Sequence, residues 1–153
     1  PTLREVNVND VVNRALDLAA HSAELQHVEV IKGLDSSLPE ITADFDQLQQ
    51  VCTNLIMNAI QAMPKGGKLS LRTSADKGEV KIEVQDTGIG ISAENMRKLF
   101  TPFFTTKREV KGVGLGLAVS YGIIQRHRGR IEVESKEGEG STFTIYLPRY
   151  HEK

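Results

Sequence analysis

Residues 44–63 read DFDQLQQVCTNLIMNAIQAM, and this stretch decides the fold. Phe45, Leu48, Val51, Cys52, Leu55, Ile56, Ala59, Ile60 and Met63 recur at spacings of three, one and three, the apolar face of a helix that packs on a core. Pro64 and the Gly66-Gly67 pair stop it. Beside that face runs a second stripe, Gln47, Gln50, Asn54, Asn58 and Gln61. Asn54 and Asn58 are four residues apart, so their side chains stand one turn above the other. Asparagine is a middling helix former because its amide competes for backbone groups, so two in register beside a core face call for a reason. A solvated polar edge is one reason. A hydrated Mg²⁺ with phosphate oxygens is the other, since hard cations take oxygen ligands.

Toward the N-terminus, Val6-Asn7-Val8-Asn9 alternates weakly, and Asn9 or Asp10 is expected to cap a helix through about Glu24. Val11, Val12, Ala15, Leu16, Leu18 and Ala19 form its apolar stripe. Val28–Ile31 reads as a strand and Leu38–Ile41 as a short extended link. Toward the C-terminus, Lys68–Ser74 and Glu79–Gln85 alternate as strands about a turn at Asp76-Lys77-Gly78. From Asp86 to about Gly114 comes a glycine-bounded loop with a helical stretch near Glu94–Leu99. A second long helix over Gly114–His127 and two strands, Arg130–Ser135 and Thr142–Leu147, follow. The last two flank a turn at Glu137-Gly138-Glu139-Gly140. Helices and antiparallel hairpins segregated in this way predict an α+β, two-layer sandwich, a mixed sheet of about five strands against three helices.

Composition narrows the function classes. The chain has 153 residues, 19 basic and 20 acidic, a balance that argues against a general binder of nucleic acid. A lone Cys52 excludes an internal disulfide or a multi-cysteine metal site. No apolar run approaches the roughly 20 residues that span a bilayer. Pro1 in place of an initiating Met leads us to expect a piece of a longer protein, lying in the cytoplasm even where its parent is membrane-anchored.

Three further motifs carry chemistry. Asp86-Thr87-Gly88-Ile89-Gly90 falls where a strand ends, its glycines allowing positive φ and close approach of a flat ligand, its carboxylate suited to an exocyclic amino group. A strand-ending Asp turn is the simpler account of the same residues. Residues 92–111 hold five basic against two acidic side chains, with Phe100, Phe103 and Phe104 around Pro102. A loop of this length suits a mobile lid that Lys107 could use to reach phosphate, or else a basic surface loop with its own small core. Gly112-Val113-Gly114-Leu115-Gly116-Leu117 opens a helix, where unpaired N–H groups and the dipole favour an anion. It is neither the dinucleotide fingerprint nor a Walker loop.

Taken in order, Asn54-Leu-Ile-Met-Asn58-Ala59, Asp86-Thr-Gly88-Ile-Gly90, Phe100-Thr-Pro-Phe103-Phe104-Thr-Thr-Lys107, Gly112-Val-Gly114-Leu-Gly116-Leu117 and Gly138-Glu-Gly140-Ser-Thr142-Phe143 resemble one family. It is the catalytic and ATP-binding domain of bacterial two-component sensor histidine kinases, the Bergerat fold shared with gyrase, the large heat-shock chaperone and the mismatch-repair ATPases. The Pro-Phe-Phe-Thr-Thr-Lys form looks most like the nitrogen-regulatory branch. The resemblance runs from about Val6 to Pro148, so the whole of 1–153 is expected to be one such domain.

The resemblance implies ATP and Mg²⁺ as cofactors. Asn58 would give an oxygen to Mg²⁺, and Asn54 would contact phosphate or the metal's water shell. Asp86 would bind the adenine amino group, with Gly88, Gly90 and Thr142 shaping that end. Lys107, Gly112, Gly114, Leu115, Gly116 and Leu117 would hold the phosphate tail, with Asn54 and Lys107 acting at the transferred group. Two departures stand out: many relatives have a basic residue at Gln61, and their usual glycine pair is here Arg128-Gly129. In gyrase-type ATPases the position of Asn54 holds a water-activating Glu, so this chain alone is expected to hydrolyse ATP weakly or not at all. His21, His27, His127 and His151 all lack an acceptor context, and His127 reads as a dipole partner at a helix end. The acceptor histidine is therefore expected on a separate dimerisation hairpin of the parent, and the onward acceptor on a response regulator receiver domain, with the domain itself monomeric. The alternatives are an ATP-sensing or scaffold module without phosphotransfer, and an anti-sigma-type serine kinase of the same fold.

Overall fold

The computed structural model describes residues 2–92 and 111–149, with the backbone alone for 111–116. The first helix, α1 (Val8–Leu25), starts where Asn7 Oδ1 accepts the Asn9 N–H at 2.9 Å. Asn7, and neither Asn9 nor Asp10, thus satisfies an orphan donor of the first turn. The alternation at Val6–Asn9 correspondingly continues no strand past Val6, where β1 (Arg4–Val6) ends. Val8, Val11, Val12, Ala15, Leu16, Ala19 and Ala23 are buried, whereas Leu18 stands off that face and is half exposed.

Strands β2 (Val28–Gly33) and β3 (Ile41–Ala43) precede α2 (Phe45–Gln61). The expected extended link is therefore followed by a true strand, because Ile41–Ala43 pairs antiparallel with β1 in a small sheet of its own. Asp44 caps α2, its Oδ1 accepting the Gln47 N–H at 3.0 Å, and these hydrogen bonds hold its carboxyl below the usual range. Strands β4 (Gly67–Ala75) and β5 (Glu79–Asp86) form the expected hairpin. The helix α3 (Lys111–Arg126) and strands β6 (Arg130–Lys136) and β7 (Gly140–Pro148) complete the chain.

The main sheet has the order β2-β4-β5-β7-β6, parallel between β2 and β4 and antiparallel elsewhere. The parallel pair follows from the crossover through α2. One face of the sheet is apolar: Leu69 and Leu71, Val80, Ile82 and Val84, Phe143, Ile145 and Leu147 are all buried. The three helices described cover it, with α2 packed between α1 and α3. Strands β4 to β7 alternate, so the other face carries Lys68, Glu83, Thr144 and Glu132 toward solvent.

Polar fasteners lock the layers. The Gln26 amide donates to the carbonyls of Ile60 and Met63 at 3.1 and 3.2 Å, tying the ends of α1 and α2. His127 is buried between α3 and α2, its Nε2 accepting the Asp44 N–H at 3.1 Å. Nδ1 then carries the proton and donates to the Ile123 carbonyl at 2.9 Å. This corrects the dipole-partner reading: a cationic ring has no acceptor for Asp44, so His127 acts as a neutral clamp. After it, Arg128 takes φ +62° and α3 ends in a Schellman motif, Gly129 N–H to Ile124 O and Arg128 N–H to Gln125 O. The departure from a glycine pair thus places a non-glycine residue in the left-handed region. No helix among the described residues is long and apolar enough to cross a membrane.

Candidate active site

On its core side the sheet ends in a row that turns polar. Register places Leu69, Asp86, Ser141 and Ser135 side by side across β4, β5, β7 and β6, one row beyond Leu71, Val84, Phe143 and Val133. Asp86 is 4% exposed. Burial pushes its carboxyl above the usual range, opposed by hydrogen bonds from the Gly88 and Ser141 main chain. The Gly88 N–H donates to Asp86 Oδ1 at 2.8 Å.

Alternation along β7 separates two neighbours. Ser141 is buried beside Asp86, whereas Thr142 faces the outer side with its pair partners Gln85 and Glu134. Thr142, named in the sequence reading, thus lies on the face opposite Asp86, and Ser141, which that reading did not name, is the β7 side chain beside it. The strand period counted from the buried Phe143 and Ile145 could have found it. A cleft of about 460 Å³ opens at this end of the sheet, touching Asp86 and Ser141 and the outer-facing Gln85, Glu134 and Thr142.

The glycines of the turn are demanded by the protein itself. A Cβ on Gly88 would collide with the carbonyl of Ala62, the acceptor of the Ile89 N–H at 2.9 Å. Gly88 has no positive φ; Gly90 does, at +72°, and packs on the Lys136 carbonyl. The Gly138 N–H donates to Ile89 O at 2.7 Å and the Ile91 N–H to Ser135 Oγ at 2.8 Å. The turn after Asp86 is therefore sewn to the end of α2 on one side and to the β6–β7 hairpin on the other.

The amide stripe of α2 divides. Gln50 and Gln61 are exposed, while Asn54 and Asn58 are half-buried. Asn54 Nδ2 donates at 3.3 Å to Ser120 Oγ, fully buried on α3. Asn58 Nδ2 is buried without a hydrogen-bond partner, one turn before the Ala62 carbonyl that anchors the Asp86 turn. An unpaired buried amide N–H costs about 1–3 kcal/mol, so an acceptor placed there, such as a phosphate oxygen, has a gain to realise. The residues fit a Mg²⁺ complex of the kind held mainly by phosphate and water. Among the described residues there is no group of three or more His, Cys, Asp or Glu to cage an ion, and an amide oxygen is a suitable single protein ligand.

Helix α3 is described from Lys111 onward, so the glycine cluster lies within the helix rather than before it. Its first described residues include Gly112 and Gly114. Leu115, Gly116 and Leu117 come after them, and the Leu117 side chain is fully buried in the core. Lys107, the helical stretch near 94–99 and most of the expected lid lie outside the described residues.

Residues 43–151 match the family model for histidine kinase-, DNA gyrase B- and HSP90-like ATPases. The sensor histidine kinase ZraS of Escherichia coli K12 is 45% identical over 146 residues, covering 95% of this chain and 31% of ZraS. Sporulation kinase E of Bacillus subtilis is 41% identical over 145 residues, covering 94% of this chain and 19% of that kinase. The chain thus spans about a third or less of these relatives. The nucleotide-free catalytic domain of the histidine kinase ThkA superposes with a TM-score of 0.87 at 30% identity, covering 97% of each chain. With its polar row, its paired asparagines and these relatives, the chain belongs to the histidine kinase-, DNA gyrase B- and HSP90-like ATPase family, as an ATP-binding catalytic domain of the histidine kinase kind.

Proposed function

We propose that this chain is one catalytic domain that binds Mg²⁺-ATP beside α2, α3 and the turn after β5. Joined to a helical hairpin bearing an acceptor histidine, it donates the γ-phosphoryl group to that histidine, from which an aspartate of a response regulator takes it. The cytoplasm, where ATP is supplied, is its place of action. The observation that carries the reading is a buried carboxylate, Asp86, at the end of an apolar sheet face, on the side covered by α2, where the amide nitrogen of Asn58 is buried without a hydrogen-bond partner.

Asp86 accepts from the adenine amino group, with Ser141 beside it and Gly88 and Gly90 holding the turn in place. Asn58 is the protein's ligand to Mg²⁺, which when bound neutralises charge on the phosphates. Asn54, oriented by Ser120, contacts the phosphates or the metal's water shell. Gly112 and Gly114 offer backbone N–H groups to the phosphate tail, Leu115 and Gly116 extend that wall, and Leu117 anchors it in the core. Lys107 supplies positive charge at the transferred group. Phosphoryl transfer depends on such positioning and electrostatics rather than on covalent chemistry by the protein. Asn54 carries no general base, so water is not activated there.

Calorimetry of the chain with ATP and Mg²⁺ tests the site. Asp86→Asn and Asn58→Ala should each weaken binding at least about tenfold, the scale of a hydrogen bond to a charged group. Unchanged affinity in both would overturn the site. Labelled ATP, with a hairpin domain added, should then label the hairpin's histidine; its absence would leave an ATP-sensing module.

A further inference from the structure

The polar row at the sheet's end has a fourth member that no nucleotide role accounts for. Ser135 Oγ lies 2.8 Å from the Ile91 nitrogen, 3.1 Å from the Gly140 carbonyl oxygen and 2.7 Å from Ser141 Oγ. One hydroxyl has one hydrogen to give. The Ile91 N–H can only donate, so Ser135 accepts there. The Gly140 carbonyl can only accept, so Ser135 donates there. All three contacts are hydrogen bonds together in one arrangement alone, in which Ser141 spends its own hydrogen on Ser135. Ser141 Oγ then has lone pairs to offer and no further hydrogen to donate.

We infer that Ser135 is a positioning residue for base selection: it fixes the Ser141 hydroxyl as an acceptor beside Asp86, so that this end of the site takes an amino group and refuses a carbonyl. The inference deepens the reading in which Asp86 meets the nucleobase and rests on it. Adenine presents a two-proton exocyclic amine at the edge where guanine presents an oxygen. A carboxylate and a hydroxyl that both accept complement the amine. Against guanine's oxygen they set lone pair against lone pair, and an unpaired buried acceptor is expensive. Were Ser141 free to turn its hydrogen outward, it could pair with that oxygen and relax the discrimination. Ser135 prevents this while fastening the turn: the same oxygen takes the Ile91 N–H, three residues past Gly88, whose own N–H orients Asp86. Base selection and the course of the chain beyond the turn thus share one atom.

The test is the ratio of ATP to GTP affinity, measured by calorimetry on the chain and on Ser135→Ala, Ser135→Thr, Ser141→Ala and the Ser135→Ala/Ser141→Ala double variant, with melting temperatures alongside. Ser135→Ala should narrow the preference for ATP about tenfold, the weight of one hydrogen bond. Ser135→Thr, which keeps the hydroxyl, should retain it. On the Ser141→Ala background, Ser135→Ala should change the ratio no further, because its effect passes through Ser141. An unchanged ratio in Ser135→Ala, or two effects that add in full, would overturn the inference. Should Ser135→Ala not fold, Ser141→Ala decides: a narrowed ratio supports the inference and an unchanged one overturns it. Asp86→Asn separates the two levels. If it weakens ATP while Ser135→Ala leaves the ratio alone, the inference alone fails; if it leaves ATP binding intact, the site reading fails as well.

Discussion

Two carboxylates among the described residues are buried, and they are buried to different ends. Asp44 caps α2 and is stabilised by the main-chain N–H groups it accepts, whereas Asp86 is raised by burial that its hydrogen bonds only partly offset. A folded-state pKa above the unfolded one means that the folded protein binds more protons between the two values, so Asp86 makes stability fall as pH rises through that window. Above it the ionised form is a standing cost of the site. Asp86→Asn keeps the shape and can still accept from Gly88. It should raise the melting temperature at pH 7, a gain that disappears once pH drops below the unfolded aspartate range of about 3.9. The same variant should bind ATP at least about tenfold more weakly. Melting curves across pH check the first half, and a variant less stable than the parent at pH 7 would contradict it. Stability given up at one residue for binding is the ordinary mark of a functional site.

At the scale of elements, the helices and hairpins were legible because apolar periodicity reports which face is buried, and α2, β4, β5 and β7 declare that face strongly. What periodicity does not report is a partner far away in sequence. The small β1–β3 sheet joins two three-residue strands 35 or more residues apart, too short to show a pattern of their own. The choice of Ser141 over Thr142 turned on which neighbour of the Gly138–Gly140 turn faces the core, a matter of one residue of register. His127 is the same kind of case. Its sequence context at a helix end suggests a cation on a dipole, and only the fold brings the Asp44 N–H to its ring. The two accounts differ in what a substitution does. His127→Phe keeps most of the volume and loses both hydrogen bonds, leaving Asp44 N–H unpaired, and should cost about 2 kcal/mol. His127→Lys would put a charge at the end of α3 but buries an ammonium against the Asp44 N–H, which it cannot accept, and should cost more. Urea unfolding of the pair decides it; a Lys variant as stable as the parent would revive the dipole account.

The proposed site is assembled only when the whole molecule closes, because its parts come from both layers: Asp86 and Ser141 from the sheet, Asn54 and Asn58 from the central helix. Ile56 stands between those two asparagines in sequence, yet it faces the core and is fully buried. Ile56→Ala removes buried methyl groups without touching the amides, and should cost about 3–4 kcal/mol through lost transfer energy and the cavity left behind. A defect of this size lowers the population of the closed state without altering the chemistry of the pocket. Nucleotide should therefore restore it: Mg²⁺-ATP at 100 times its dissociation constant binds the folded chain alone and adds about 2.7 kcal/mol. The expected result is a melting temperature well below the parent's without ligand, and a rise with ATP equal in free energy to that of the parent. Asp86→Asn should show the converse, a stable chain whose melting temperature responds little to the same ATP. If Ile56→Ala folded but drew no stabilisation from ATP, the core beneath α2 would be setting the geometry of Asn54 and Asn58 directly, and packing and binding in this molecule could not be treated as separable.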